Sequence, residues 1–334
     1  MSLGLNFGIG KKLGLTSFVA ADRLSHAATE FVESLKINSI SERKRNGRSI
    51  VIKRRNAYGE RVADLINFYF ALAHLPIRFV SQVGHWRRSE ASCFRLLNGD
   101  RYCARVTDAR TVVLDKLPGK SLWAHMQDGT LTLRMLRAAG KEYRRAHQLQ
   151  WNGLDGGWSH ADASMTNVIY DQKEDRARLI DFEIMHEHSL PIATRRADDL
   201  LVFILDMVGR VKGRQWTAFA LAFLRAYGDA EVICELKKQL TIPSGLALLW
   251  WNVRTNFTSR ARTKQRFQIL RRAVGELGVY RSTETARRRQ KRQPSIHCQT
   301  MSAGTPTAKS RQRAINEMAN AVSPGIPRRS PITR

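Results

Sequence analysis

Acidic residues are scarce in this 334-residue chain: 29 Asp and Glu stand against 56 Lys and Arg, a formal net charge of +27 at pH 7. A chain of that sign must meet something acidic, whether nucleic acid, a phosphorylated ligand or an anionic membrane. Cysteine is scarcer still. Cys93, Cys103, Cys234 and Cys298 show no CxxC spacing and no His cluster, which argues against zinc or a disulfide framework and suits a reducing compartment. Long apolar runs are missing: the longest, residues 65–77, is broken by His74 and Pro76 and is too short to span a bilayer. No stretch joins a charged start, an apolar middle and a small-residue cleavage site, so a cytoplasmic setting is expected. Recognition-helix, zinc-finger and RNP patterns are absent too, which leaves a nucleic-acid partner without a reader.

What is present starts with residues 160–183, where HADASMTN (160–167) is followed by LIDFE (179–183). An Asp in a His-x-Asp loop can accept a hydroxyl proton. An Asn five residues on can hold magnesium, and an Asp on the next strand can bridge a cation to nucleotide phosphates. Asp162, Asn167 and Asp181 fill these positions. Residues 167–171 and 177–181 read as short apolar strands around the charged turn 172–176, and a hairpin there would bring the three side chains together.

Four further segments stand in a telling order. In RSIVIK, ending at Lys53, the Asn46-Gly47 pair predicts a hairpin of strands 37–41 and 49–53. Alone, Lys53 among Arg43, Lys44, Arg45, Arg48, Arg54 and Arg55 would read as part of a solvated basic face. Residues 85–99 form an amphipathic helix with a glycine stop and carry Glu90, while Glu60 heads the helical run 60–75. In TVVLDKLPGKSL (111–122) an apolar strand meets a polar pair and a Pro-Gly turn, as a hinge between lobes requires, or as an ordinary strand ends. RADDLLVFILDMVG (196–209) places Asp198 and Asp199 at the head of an apolar helix.

Taken together, these motifs resemble the protein-kinase-like superfamily in its compact bacterial branches: aminoglycoside and choline phosphotransferases and lipopolysaccharide-core sugar kinases. The likeness spans residues 37–275. It implies an α+β, two-lobed protein-kinase-like fold, with a small antiparallel-sheet N-lobe (37–117) and a mostly helical C-lobe (118–275). It also implies ATP as phosphoryl donor and Mg2+ or Mn2+ held by Asn167 and Asp181. Asp162 would be the catalytic base, and Lys53 would contact the phosphates, paired to Glu90 with Glu60 as the alternative. Asp115, Lys116 and Leu117 would line the adenine slot through their main chain, and Asp199 would tie down the loop that holds Asp162.

The departures are informative. No G-x-G-x-x-G lies between the first strands; the one glycine cluster is FGIGKKLG (7–14). A helix at about 59–75 is inserted before Glu90. Only 17 residues separate Asp181 from Asp199, and no Ala-Pro-Glu follows, so a small-molecule or glycan acceptor is expected rather than a protein. Glu183 follows Phe182 where protein kinases have glycine. An N-terminal extension (1–36), partly helical, and a basic disordered tail (281–334) containing ARRRQKRQ (286–293) complete the chain. The expected acceptor is an anionic small molecule or a phosphorylated, lipopolysaccharide-like glycolipid. Arg195 and Arg196 are candidates to clamp its phosphate. Leu65, Ile66, Phe68, Phe70, Leu72 and Leu75 are candidates for peripheral contact with the anionic inner membrane face, or for packing on the small lobe. A pseudokinase, a basic binding protein and an atypical protein Ser/Thr kinase are the competing readings.

Overall fold

Two left-handed residues set the first hairpin of the computed structural model, which describes residues 37–150, 157–211, 213–255 and 258–275. Asn46 (φ 50°) and Gly47 (φ 75°) reverse the chain between β1 (Asn38–Arg45) and β2 (Arg48–Arg55), which pair from Asn38↔Arg55 to Arg45↔Arg48. Positive φ at both central residues gives the turn whose twist matches that of the strands. The expected N-terminal extension, with its glycine cluster, and the basic tail lie outside the described residues.

The hairpin joins β5 (Thr111–Asp115) and β4 (Ala104–Val106) in an antiparallel sheet of order β1-β2-β5-β4. Helix α2 (Val83–Asn98) covers it with a stripe of buried Trp86, Glu90, Cys93, Phe94 and Leu97, the spacing of one helical face. These apolar side chains share a core with Val112 and Leu114 of β5. Glu90 is thus placed among hydrophobic groups, where only a charged partner makes its carboxylate tolerable.

Between hairpin and α2 stand α1 (Gly59–Leu72) and β3 (Ile77–Phe79). A β-carbon on Gly59 would lie 2.7 Å from the Ile37 carbonyl oxygen, so only glycine lets α1 begin this close to the hairpin's base. Helix α1 is apolar on two sides. Ala63 and Phe70 are buried, whereas Leu65, Phe68 and Leu72 are exposed, which divides the apolar set read from the sequence. Strand β3 pairs antiparallel with β9 (Ile184–His186), in register Ile77↔His186 and Phe79↔Ile184.

The rest is mostly helical. A three-stranded sheet, order β6-β7-β8, is made by β6 (Lys120–Ser121), β7 (Val168–Asp171) and β8 (Arg176–Leu179). Gly119 (φ 99°) leads into β6, and a β-carbon there would meet the Tyr170 carbonyl oxygen at 1.9 Å. Helices α3 (Leu122–Gln127), α4 (Leu133–Gln148), α5 (Ile192–Arg210), α6 (Gln215–Tyr227), α7 (Ala230–Gln239) and α8 (Ala247–Arg254) follow, and residues 260–275 form α9. Every residue of α5 from Asp199 to Val208 is buried, so this helix has no solvent face and its two inner carboxylates, Asp199 and Asp206, must find partners inside. Among the described residues no helix is long and apolar enough to cross a membrane.

Candidate active site

Lys53 projects from β2 into a cluster of carboxylates. Its Nζ lies 2.6 Å from Glu90 Oε1 and 2.7 Å from Asp181 Oδ1, with the lysine 4 % exposed. Burial alone would drive the proton off this amine; the negative charges of Asp181 and Glu90 outweigh it and hold Lys53 firmly as an ammonium. The second oxygen of Glu90 accepts the Phe182 N–H at 2.8 Å, so one carboxylate fixes both the lysine and the segment after Asp181. Glu60 is occupied elsewhere: its Oε1 accepts the Val83 N–H at 2.7 Å at the start of α2. The partner of Lys53 is therefore Glu90.

Asp181 follows β8 with φ 69°, a left-handed backbone that costs an L-residue about 1 kcal/mol. Its burial works to raise its affinity for protons, but Lys53 overrides this and keeps the carboxyl below the usual carboxylate range. Glu183, two residues on, is pushed up to about 8 by burial and by Asp181. It accepts a hydrogen bond from Asn38 Nδ2 and lies 3.7 Å from Arg55 Nη1. Arg55 is itself buried, donates to the Val80 carbonyl and stacks on Trp86, its guanidinium carbon 4.5 Å from the ring centroid.

The loop 160–167 is held by backbone bonds to α5. Asp199 accepts the N–H groups of His160 and Ala161, each at 2.7 Å, and His147 Nε2 at 3.0 Å. Burial opposes this charge, yet the His147 bond and the neighbouring imidazoles hold the carboxyl at about 2. Asp206 accepts the Met165 N–H at 2.7 Å. His160 Nε2 reaches the Ile180 carbonyl at 2.9 Å; because a carbonyl only accepts, Nε2 carries the proton and Nδ1 is free to accept the Asp162 N–H at 3.4 Å. His160 thus braces the loop.

Asp162 and Asn167 meet directly. Asn167 Nδ2 donates to the Asp162 carbonyl at 2.9 Å and to its Oδ2 at 3.1 Å, and the Ile180 N–H bonds the Asn167 carbonyl at 3.0 Å. Burial raises the proton affinity of Asp162, with Arg254 the largest opposing charge. Sequence reading missed Arg254. It reaches from the end of α8, donates from Nη2 to the Ala161 carbonyl at 2.9 Å and lies 3.8 Å from Asp198. Ala161 (φ 64°) is a second left-handed residue, so the loop carries backbone strain on one side of Asp162 and a guanidinium that steadies it.

No protein-family model and no curated protein matches the sequence. Two solved structures resemble the chain in fold. One is the Plasmodium vivax ethanolamine kinase, at 10% identity and TM-score 0.41, covering 74% of this chain and 81% of that one. The other is the gentamicin-APH(2")-IIa complex, at 12% identity and TM-score 0.35, covering 74% and 94%.

The donors fit a divalent cation. Asn167 uses its amide nitrogen in both bonds above, which leaves its side-chain oxygen as the ligand, and Asp181 adds a carboxylate: hard oxygen donors of the type Mg2+ and Mn2+ prefer. Among the described residues no three His, Cys, Asp or Glu side chains converge into a complete cage, and magnesium bound through one or two protein oxygens plus phosphates requires none.

In the segment expected to line an adenine slot, the main-chain N–H of Lys116 is already engaged. It is spent in the sheet on the Ser49 carbonyl at 2.9 Å, and that of Asp115 on the Cys103 carbonyl at 2.9 Å, so neither can donate to a base. The Cys103 N–H, which a regular ladder would send to the Asp115 carbonyl, goes instead to the Asp115 carboxylate at 2.8 Å. That relieves the Asp115 carbonyl of its ladder donor. Ile40 pairs across from Lys53 on the same face of the sheet and is 61 % exposed, an apolar neighbour unmarked in the sequence. Other expectations also change. Arg195 is buried, Arg196 donates to the His147 carbonyl, and neither forms a clamp. Asp198, at the head of α5, pairs with His186 Nε2 at 3.1 Å.

Proposed function

We propose that the protein is a phosphotransferase that moves the γ-phosphoryl group of ATP to a hydroxyl of a small molecule or glycolipid. The carrying observation is that Lys53 bridges Glu90 and Asp181 while Asp162 and Asn167 bond each other across the loop next to it. In this reading Lys53 orients the α- and β-phosphates, its own position fixed by Glu90. A divalent cation held by Asn167 and Asp181 would supply neutralisation of the phosphate charge. Asp162 takes the acceptor's hydroxyl proton as the oxygen bonds to the γ-phosphorus; the bond from phosphorus to the bridging oxygen breaks and ADP leaves. Burial of Asp162 favours that proton transfer.

A small acceptor is supported by the interval after Asp181, which β9 and the first turns of α5 fill without an added platform. The test is ATP consumption by the purified chain with Mg2+ or Mn2+, against a panel of sugar-lipid, aminoglycoside and protein acceptors, beside Asp181→Ala. Turnover that needs Asp181 and one acceptor class supports the reading and names the class. ATP binding without turnover on any acceptor favours a pseudokinase.

A further inference from the structure

Helix α1 presents a second apolar face that nothing in the described fold covers. Tyr58, Leu65, Phe68 and Leu72, at steps of seven, three and four, form one helical stripe, and Phe68 is 62 % exposed. The stripe continues onto α8. Tyr69 OH donates to the Leu246 carbonyl at 2.8 Å and accepts the Trp250 N–H at 3.1 Å, which sets exposed Leu246 and Leu249 beside it. Six of the ten large hydrophobic side chains exposed among the described residues lie on these two helices or at the residue that caps each N-terminus, Tyr58 and Leu246, so this is a patch and not a scatter.

The inner sides of the same helices face the catalytic loop. Phe70 and Trp250 meet edge to face at 4.9 Å and pack in one cluster with Ala161, the residue before Asp162. Arg254, four residues after Trp250, holds the Ala161 carbonyl. An occupant of the outer face would therefore sit just behind the loop that carries the base.

Charge selects the occupant. A chain of net charge +27 repels a second copy of itself and is drawn to an anionic surface. Exposed leucine and aromatic side chains in a helical stripe are what an interfacial helix buries at the headgroup boundary. We infer that α1 and α8 form an interfacial face by which the protein seats on an anionic lipid bilayer. This goes beyond the phosphotransferase reading and does not depend on it.

The full-length chain is sedimented with phosphatidylcholine vesicles and with vesicles containing phosphatidylglycerol, at low and at high salt, beside Leu65→Asp/Phe68→Asp. The wild type is expected to pellet with the anionic vesicles and to stay bound at high salt, because apolar insertion survives screening. The double variant is expected to need at least tenfold more lipid for half-binding at high salt, with ATP affinity and melting temperature in vesicle-free buffer matching the wild type. Complete release of the wild type by salt, or equal retention of the variant, overturns the inference. So does a dimer that the double variant abolishes, since the face would then belong to a second copy. Failure of the vesicle arm leaves Asp181-dependent turnover unaffected, and a wild type that binds no ATP removes the kinase reading while leaving the vesicle result to stand.

Discussion

Asp199 and Asp206 stand seven residues apart on α5, two turns along a wholly buried stretch, and between them they hold both ends of the loop 160–167. Their environments differ. Asp199 collects two N–H groups and an imidazole, and its carboxyl is held at about 2. Asp206 collects one N–H and a guanidinium 3.7 Å away, too little to offset burial, and is pushed up to about 6.

Opposite pH signatures result. The depressed carboxyl of Asp199 gives stability that is present above its unfolded value of 3.8 and lost as pH falls towards 2, about 2 kcal/mol in all. The raised carboxyl of Asp206 binds its proton more tightly in the folded state. Stability is therefore lost as pH rises from about 4 to 6, by about 3 kcal/mol. Asp206→Asn should flatten the melting temperature across pH 4 to 6; a variant with the wild-type slope would clear Asp206 as its source.

Asp162→Asn keeps the hydrogen-bonding shape and removes the base. Turnover should fall by at least about 100-fold, while ATP still raises the melting temperature as it does in the wild type. Undiminished turnover would take Asp162 out of the mechanism.

Arg254→Met removes the guanidinium that holds the Ala161 carbonyl and keeps much of its stem on Trp250. We expect kcat to fall by about 10- to 100-fold with KM for ATP unchanged, since a displaced base costs rate rather than nucleotide binding. The acid limb of the pH–rate profile should also move to higher pH, because Arg254 is the largest charge opposing protonation of Asp162. A merely structural arginine would leave that limb in place.

Lys53→Met leaves Glu90, fully buried, without the ammonium it is paired to. Urea unfolding should show a loss of about 3 kcal/mol or more. Lys53→Met/Glu90→Gln should recover part of it; a double variant as unstable as the single one would show that the cost lies in packing.

Much of this site was legible in the sequence because its signals are local. Asn46-Gly47 marks the turn that registers Lys53, a helical stripe ending at Gly99 carries Glu90, and the loop 160–167 has its residue types at fixed spacing. The sequence pairs Lys53 with Glu90 and keeps Glu60 as the alternative; packing separates the two, since Glu60 accepts the Val83 N–H at the start of α2 while Glu90 meets the lysine. Arg254 lies 93 residues from the carbonyl it holds, and an arginine at a helix end carries no mark of such a reach. Strands β3 and β9 are three residues each, too short for alternation to register. A hinge sequence does not reveal which amides the sheet has already used, as it has those of Asp115 and Lys116.

The pairing of β3 with β9 has a mechanical consequence. Because the strand leaving α1 is zipped to the strand that follows Glu183, the segment after Asp181 is anchored twice, by Glu90 at Phe182 and by a backbone ladder at residues 184–186. It cannot swing away from Lys53 without unzipping that ladder. Any displacement of residues 182–186 would therefore carry β3 with it, the two strands moving as one closed seam.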